Sequence, residues 1–273
     1  MKASIITVLC MFLAVANTVA QKGHELGGWI GGSTYYGDLN PGVNLQSPGL
    51  ALGVLYKKNY NSRLSLRAGL SYGNISGDDA RSSNNFQRNR NLSFRSSIWD
   101  LTGAVEFNFF DLIHADIDHH FTPFVMLGAN VFRYNPKADL DGVTYSLSDL
   151  GTEGQDIGGE YFLISGGFVL GGGFKWAIGN DYYIAVEAST RLTFTDYIDD
   201  VSTVYPDLAR LEAVRGADAV ALSNRSLLDG IGEEGRQRGN SKDNDRFAFI
   251  GISLMKYFGR IDCPKISKNF GDL

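Results

Sequence analysis

The residues of this chain that could do chemistry are few and scattered. Three of its four histidines fall in one stretch, HADIDHH, from His114 to His120, with Asp116 and Asp118 between them. Imidazole and carboxylate are suitable metal ligands, and a turn can gather them. The spacing matches no standard zinc pattern, however, and a solvated turn is the preferred reading. Asp199 and Asp200 pose a similar choice, between a calcium site and carboxylates that organise a loop by accepting backbone hydrogen bonds; the loop reading is preferred. A membrane lipase or lipid A deacylase needs a nucleophile beside a positioned base. The fourth histidine, His24, is remote from the other three, and there is no G-x-S-x-G elbow. No enzymatic activity, metal or cofactor is therefore expected.

Cysteine is the remaining reactive type. Cys10 lies in an N-terminal apolar run, Ile5 to Ala16, which follows Lys2 and precedes the small-residue site Thr18-Val19-Ala20. That arrangement reads as a secretory signal over 1–20, with Cys10 as part of its apolar run. Cys263 is then the single cysteine of the exported chain. It is either an unreactive thiol in a loose tail or half of a disulfide to another chain, in a compartment that favours oxidation. Pro264 beside it would stiffen such a contact.

Most charges with a regular spacing lie on strands. In 63–73, Leu64, Leu66, Ala68, Leu70 and Tyr72 alternate with Arg63, Ser65, Arg67, Gly69 and Ser71. A strand turns successive side chains to opposite faces, so this one has an apolar face and a charged face. In 97–109, Trp99, Leu101, Val105 and Phe107 oppose Asp100, Thr102, Glu106 and Asn108. In 181–195, Ile184, Val186, Ala188 and Leu192 oppose Tyr183, Glu187 and Arg191, and 161–177 and 246–258 alternate in the same way. Weaker candidates at 25–36, 50–58 and 122–133 bring the strand count to eight.

A soluble β-sandwich would also alternate, but it would leave the mid-strand charges in bulk water. Aromatics cluster near the strand ends, as in the girdles of a membrane barrel. The expected fold is therefore all-β: an eight-stranded antiparallel transmembrane barrel over 21–258. Arg63, Arg67, Asp100, Glu106, Glu187 and Arg191 would line its interior and pair there, plugging a lumen that eight strands leave just wide enough for side chains. A composition of 33 Gly, 13 Tyr, 17 Phe and 6 Pro suits this fold, and a net charge of -5 argues against nucleic-acid binding.

Loop lengths order the two ends. If both termini are periplasmic, the connections 59–62, 110–121 and 178–180 are short periplasmic turns, and 37–49, 74–96, 134–160 and 196–245 are long outer loops. Residues 207–222 suit a short helix in the last of these, since Leu208, Leu211 and Val214 recur at helical spacing. After Phe258 a tail, 259–273, continues on the periplasmic side.

Three segments carry a more specific likeness: ELGGWIGGSTYYGDLN from Glu25 to Asn40, TDYIDDVSTVYPD from Thr195 to Asp207, and KYFGRIDCPK from Lys256 to Lys265. With them the chain resembles the PorG-like outer-membrane proteins of the Bacteroidetes type IX secretion system, a machine that in some species also supports gliding. The resemblance implies a small barrel that contacts a periplasmic ring, made of a PorK-like lipoprotein and a PorN-like protein, and ties it to the outer membrane. On that reading the tail residues Asp262, Cys263, Pro264 and Lys265 form the core of the partner contact, possible disulfide included. The other functional class is an autonomous barrel of the OmpX or OmpA type that works through its outer loops.

Overall fold

The computed structural model describes residues 23–42, 48–112, 119–179 and 181–259. The expected signal segment lies outside them, as do His114 and the tail residues Asp262 to Lys265.

Eight strands form the barrel wall: β1 (Gly23–Tyr36), β2 (Gly49–Asn59), β3 (Leu64–Asp78), β4 (Ser93–Asn108), β5 (Phe121–Arg133), β8 (Ile164–Ile178), β9 (Tyr182–Thr193) and β10 (Arg246–Gly259). Each pairs antiparallel with its neighbours in the chain, and β1 pairs with β10, so the sheet closes on itself. Closure leaves no wall strand with an unpaired edge, the condition for a sheet to stand in hydrocarbon.

Alternation decides which way the wall faces. Leu52, Val54, Leu66, Leu101, Leu127 and Ile252 stand exposed on the outside, while Arg67, Asp100 and Glu106 are buried within. A soluble barrel would reverse this order. An apolar belt running right round the molecule far exceeds the patch a water-borne monomer tolerates, and lipid is the solvent that covers it. Ring pairs mark its two edges: Tyr72 with Trp99 at one end, centroids 5.0 Å apart, and Phe121 with Trp176 at the other, 5.4 Å apart.

The expected strand bounds hold to within a few residues except in one hairpin. β3 and β4 run on to Asp78 and back from Ser93, past the expected ends at 73 and 97. The extension stands beyond the apolar belt, where Asn74 and Ser76 face outward and the apolar alternation that marks a strand is lost. The remaining loop carries a 3-10 turn (Asp79–Arg81) and helix α1 (Asn85–Arg90). A second hairpin, β6 (Lys137–Leu140) and β7 (Val143–Ser146), followed by α2 (Leu147–Leu150), rises from the loop after β5. The helix expected over 207–222 is present as two: α3 (Leu208–Arg215) and α4 (Ala217–Ser223). Gly216 separates them at φ +92°, a backbone angle closed to most side chains.

Candidate functional site

The lumen is filled in two zones. At the end shared by both strand termini, the filling is ionic. Glu106 on β4 meets three cations: Lys57 at 3.0 Å, Arg67 at 3.4 Å and Lys175 in direct contact. Lys57 also donates to Tyr183 Oη at 2.6 Å, and that hydroxyl donates to Glu25 at 2.8 Å. Arg67 reaches across to Glu187 with a two-pronged contact whose Nη1 limb is 2.8 Å. One layer outward, Arg191 pairs with Asp100 at 3.1 Å and lies 4.3 Å over the Phe249 ring, while Asn130 donates to Asp100 at 2.6 Å. The cations Lys57, Arg67, Lys175 and Arg191 thus balance the anions Glu25, Asp100, Glu106 and Glu187. Asp100, Glu106 and Glu187 each have a cationic partner, and Glu25 is held by hydrogen bonds from Tyr183 and Asn59, so the desolvation cost of the group as a whole is offset.

This order follows from strand phase. Inward positions recur every second residue, so Arg67 with Ser65, Glu106 with Asp100, and Glu187 with Arg191 all project into one lumen. Gly53 on β2 makes room for Trp29: a Cβ there would stand 2.4 Å from the indole nitrogen, which donates to Ser71 at 3.2 Å. Between the ionic zone and the outer core the packing leaves a cavity of about 20 Å³, the size of a single water.

The outer zone is apolar and continuous with a cap of loops. Phe94, Phe132, Phe247 and Phe249 fill the mouth, and Ile198, Val201 and Leu222 pack on them from above. Two of the segments singled out in the sequence, Glu25–Asn40 and Thr195–Asp207, meet here. Tyr35 Oη sits 2.5 Å from Asp199 and 2.9 Å from Asp245. One hydroxyl has one proton to give, so the two carboxyls share a single donor. Burial holds both acids well above the ordinary carboxylate range, reinforced by neighbouring acidic charges. Asp200, at φ +70°, accepts from Tyr161 at 2.6 Å and from Arg238 at 3.3 Å; burial raises it to about 6, against the pull of Arg238. Asp199 and Asp200 therefore organise the loop. Arg238 is nearly inaccessible and also meets Glu153 at 3.0 Å, and Arg90 grips Asp79 through Nε at 2.7 Å and Nη2 at 2.8 Å.

Arg63 departs from its expected place. Its side chain is 37% exposed at the rim of the terminal end, paired to Asp111 at 2.9 Å rather than turned into the lumen. It precedes the first residue of β3, so strand phase no longer governs it. His119 and His120 lie beside it, along an open groove with Asp111 and Trp176. Among the described residues no group of three or more His, Cys, Asp or Glu is placed to hold a metal.

Strand phase could have found Lys57, which follows Ala51, Gly53 and Leu55 on the inward side, whereas Glu25 is hidden by the glycines of β1, which blur its alternation. Arg238 sits in an irregular loop, and Arg90 and Asp79 in elements of six and three residues, too short for a periodicity to be read.

Residues 2–217 match the family described as "Domain of unknown function (DUF6089)". A comparison with curated proteins gave no match. Among solved structures the chain is similar to Ail, the attachment invasion locus protein of Yersinia pestis, at 9% identity and TM-score 0.42, covering 87% of this chain and 99% of that one. It is similar to Neisserial surface protein A at 10% identity and TM-score 0.40, covering 86% and 97%. It is also similar to the outer membrane protein OprG from Pseudomonas aeruginosa at 8% identity and TM-score 0.43, covering 88% and 98%.

Proposed function

From a chain that belongs to the DUF6089 family and folds as a closed barrel with an apolar girdle, we propose a non-enzymatic outer-membrane component of the type IX protein secretion machinery, which anchors a periplasmic lipoprotein ring to the outer membrane. The observation that carries the reading is the filled lumen. Paired charges and aromatic side chains occupy it from end to end, so among the described residues there is no open path to conduct a solute, and the molecule works through its two ends.

The short turns share one end with Gly23 and Gly259, and on the proposed reading that end faces the periplasm. The PorK-like and PorN-like ring proteins would meet the barrel there. The residues after Gly259 supply the contact, with Asp262, Cys263, Pro264 and Lys265 at its core and a disulfide from Cys263 to the ring as one way of holding it. The three segments that resemble the PorG-like proteins support this reading.

One observation favours a second reading, an autonomous OmpX- or OmpA-like barrel acting at the cell surface. The outer loops form a packed cap with buried ion pairs rather than loose connections. Truncation after Gly259 separates the two. Under the anchoring reading the truncated barrel still folds, but ring proteins no longer co-purify with it in mild detergent and secretion stops. Unchanged secretion and co-purification would remove the anchoring reading and leave the second.

A further inference from the structure

One stretch of the outer wall carries a concentration of positive charge just above the aromatic edge of the belt. The Tyr72 and Trp99 rings mark that edge. Directly over them lies a polar ledge: Tyr72 Oη and Ser97 Oγ stand 3.1 Å apart, and Ser97 donates to Asn74 at 2.9 Å. Register places Arg133 of β5 across from Trp99, and places Arg95 of β4 across from Lys137 of β6, four residues farther out. Four residues of strand span about 13 Å, so the cations stand at two heights. Arg95, Lys137, Asn74 and Ser97 line one open groove.

We propose that this face binds the phosphate groups of a phosphorylated glycolipid headgroup in the outer leaflet. The inference rests on the orientation given above, with the long-loop end outside the cell. Of three exposed cations, Arg95 reaches Asp139 and Thr144, each at 2.8 Å, while Arg133 and Lys137 form no ion pair among the described residues. A guanidinium fork matches a phosphate through paired charge-assisted hydrogen bonds, and the ledge hydroxyls can donate to a sugar or a further phosphate oxygen. Cations at two heights suit a headgroup with more than one phosphate. The terminal end differs: Lys58 and Lys256 lie singly over aromatic rings, Lys58 over Tyr60 and Lys256 over Tyr182 and Phe258. That is the pattern of isolated side chains reaching for the interface rather than a gathered site.

The test uses the full chain folded in detergent and mixed with diphosphoryl lipid A, monophosphoryl lipid A or phosphatidylcholine, with bound lipid counted by native mass spectrometry. Diphosphoryl lipid A should be retained in preference to the other two. The R95Q/R133Q/K137Q variant should lose that retention roughly tenfold or more, and K58Q/K256Q should keep it. Heat-dependent gel mobility reports folding; should the triple variant not fold, R133Q and K137Q singly carry the same comparison. Equal retention of lipid A and phosphatidylcholine, or undiminished retention by the folded variants, overturns the proposal. Orientation is read separately, by labelling Glu234→Cys in a Cys263→Ser background with an impermeant maleimide on intact cells. Labelling without lipid preference overturns this inference and leaves the orientation standing. Preference without labelling overturns the orientation, and the leaflet assignment with it.

Discussion

Glu106 is the side chain on which the inner lumen turns. Its two oxygens serve Lys57, Lys175 and Arg67, which are otherwise three like charges confined in one small space. Glu106→Ala should destabilise the barrel by about 3–5 kcal/mol, because it leaves buried cations uncompensated rather than merely removing an attraction. Urea unfolding in lipid vesicles measures this, and a loss below about 1 kcal/mol would mean that the cations find other partners or water. Lys57→Met should cost less, since Glu106 keeps two cations. Strand phase made Glu106 legible in the sequence, yet its having three partners was not, because Lys57, Arg67 and Lys175 come from three other strands whose rotational register only closure sets.

The loops are the element in which titration matters. Burial lifts Asp196 to about 7, partly offset by Ser202, and lifts Asp200 to about 6. A carboxyl raised in the folded state binds protons more readily there than in the unfolded chain. Its contribution is complete below the ordinary carboxylate value near 4 and is lost as pH rises through the folded value. The cap should therefore be tighter at pH 5 than at pH 8, by roughly 1–3 kcal/mol. Hydrogen exchange of 194–245, corrected for intrinsic rates, reads this directly, and Asp196→Asn should flatten the difference. Protection that rises toward pH 8 would contradict the assignment. In another outer loop, 134–160, the sequence carries a signal that reading it as a plain loop passes over. Asp141-Gly142, flanked by Leu140 and Val143, is a two-residue hairpin signal and does close β6 onto β7 at φ +51° and +82°. Gly216 lies within the single helix expected over 207–222, and its φ of +92° is what divides that helix into α3 and α4.

At the scale of the molecule, a lumen filled by its own side chains predicts a barrel that does not conduct. Purified protein in planar bilayers should show no stable single-channel steps in neutral salt, and reproducible steps would mean that the ionic plug or the aromatic mouth opens. The alternation of residues along each segment was enough to determine eight strands, an apolar exterior and a charged interior, because pleating ties side-chain direction to a period of two, and lipid and lumen demand opposite polarities. The asymmetry of loop lengths likewise stood in the sequence. Tertiary structure alone decided that Arg63 stays at the rim with Asp111, that Tyr35 bridges Asp199 and Asp245, and that Arg238 anchors the cap. Those contacts join residues far apart in the chain and outside any repeating geometry, so local spacing carries no trace of them until the sheet closes and brings the loops together.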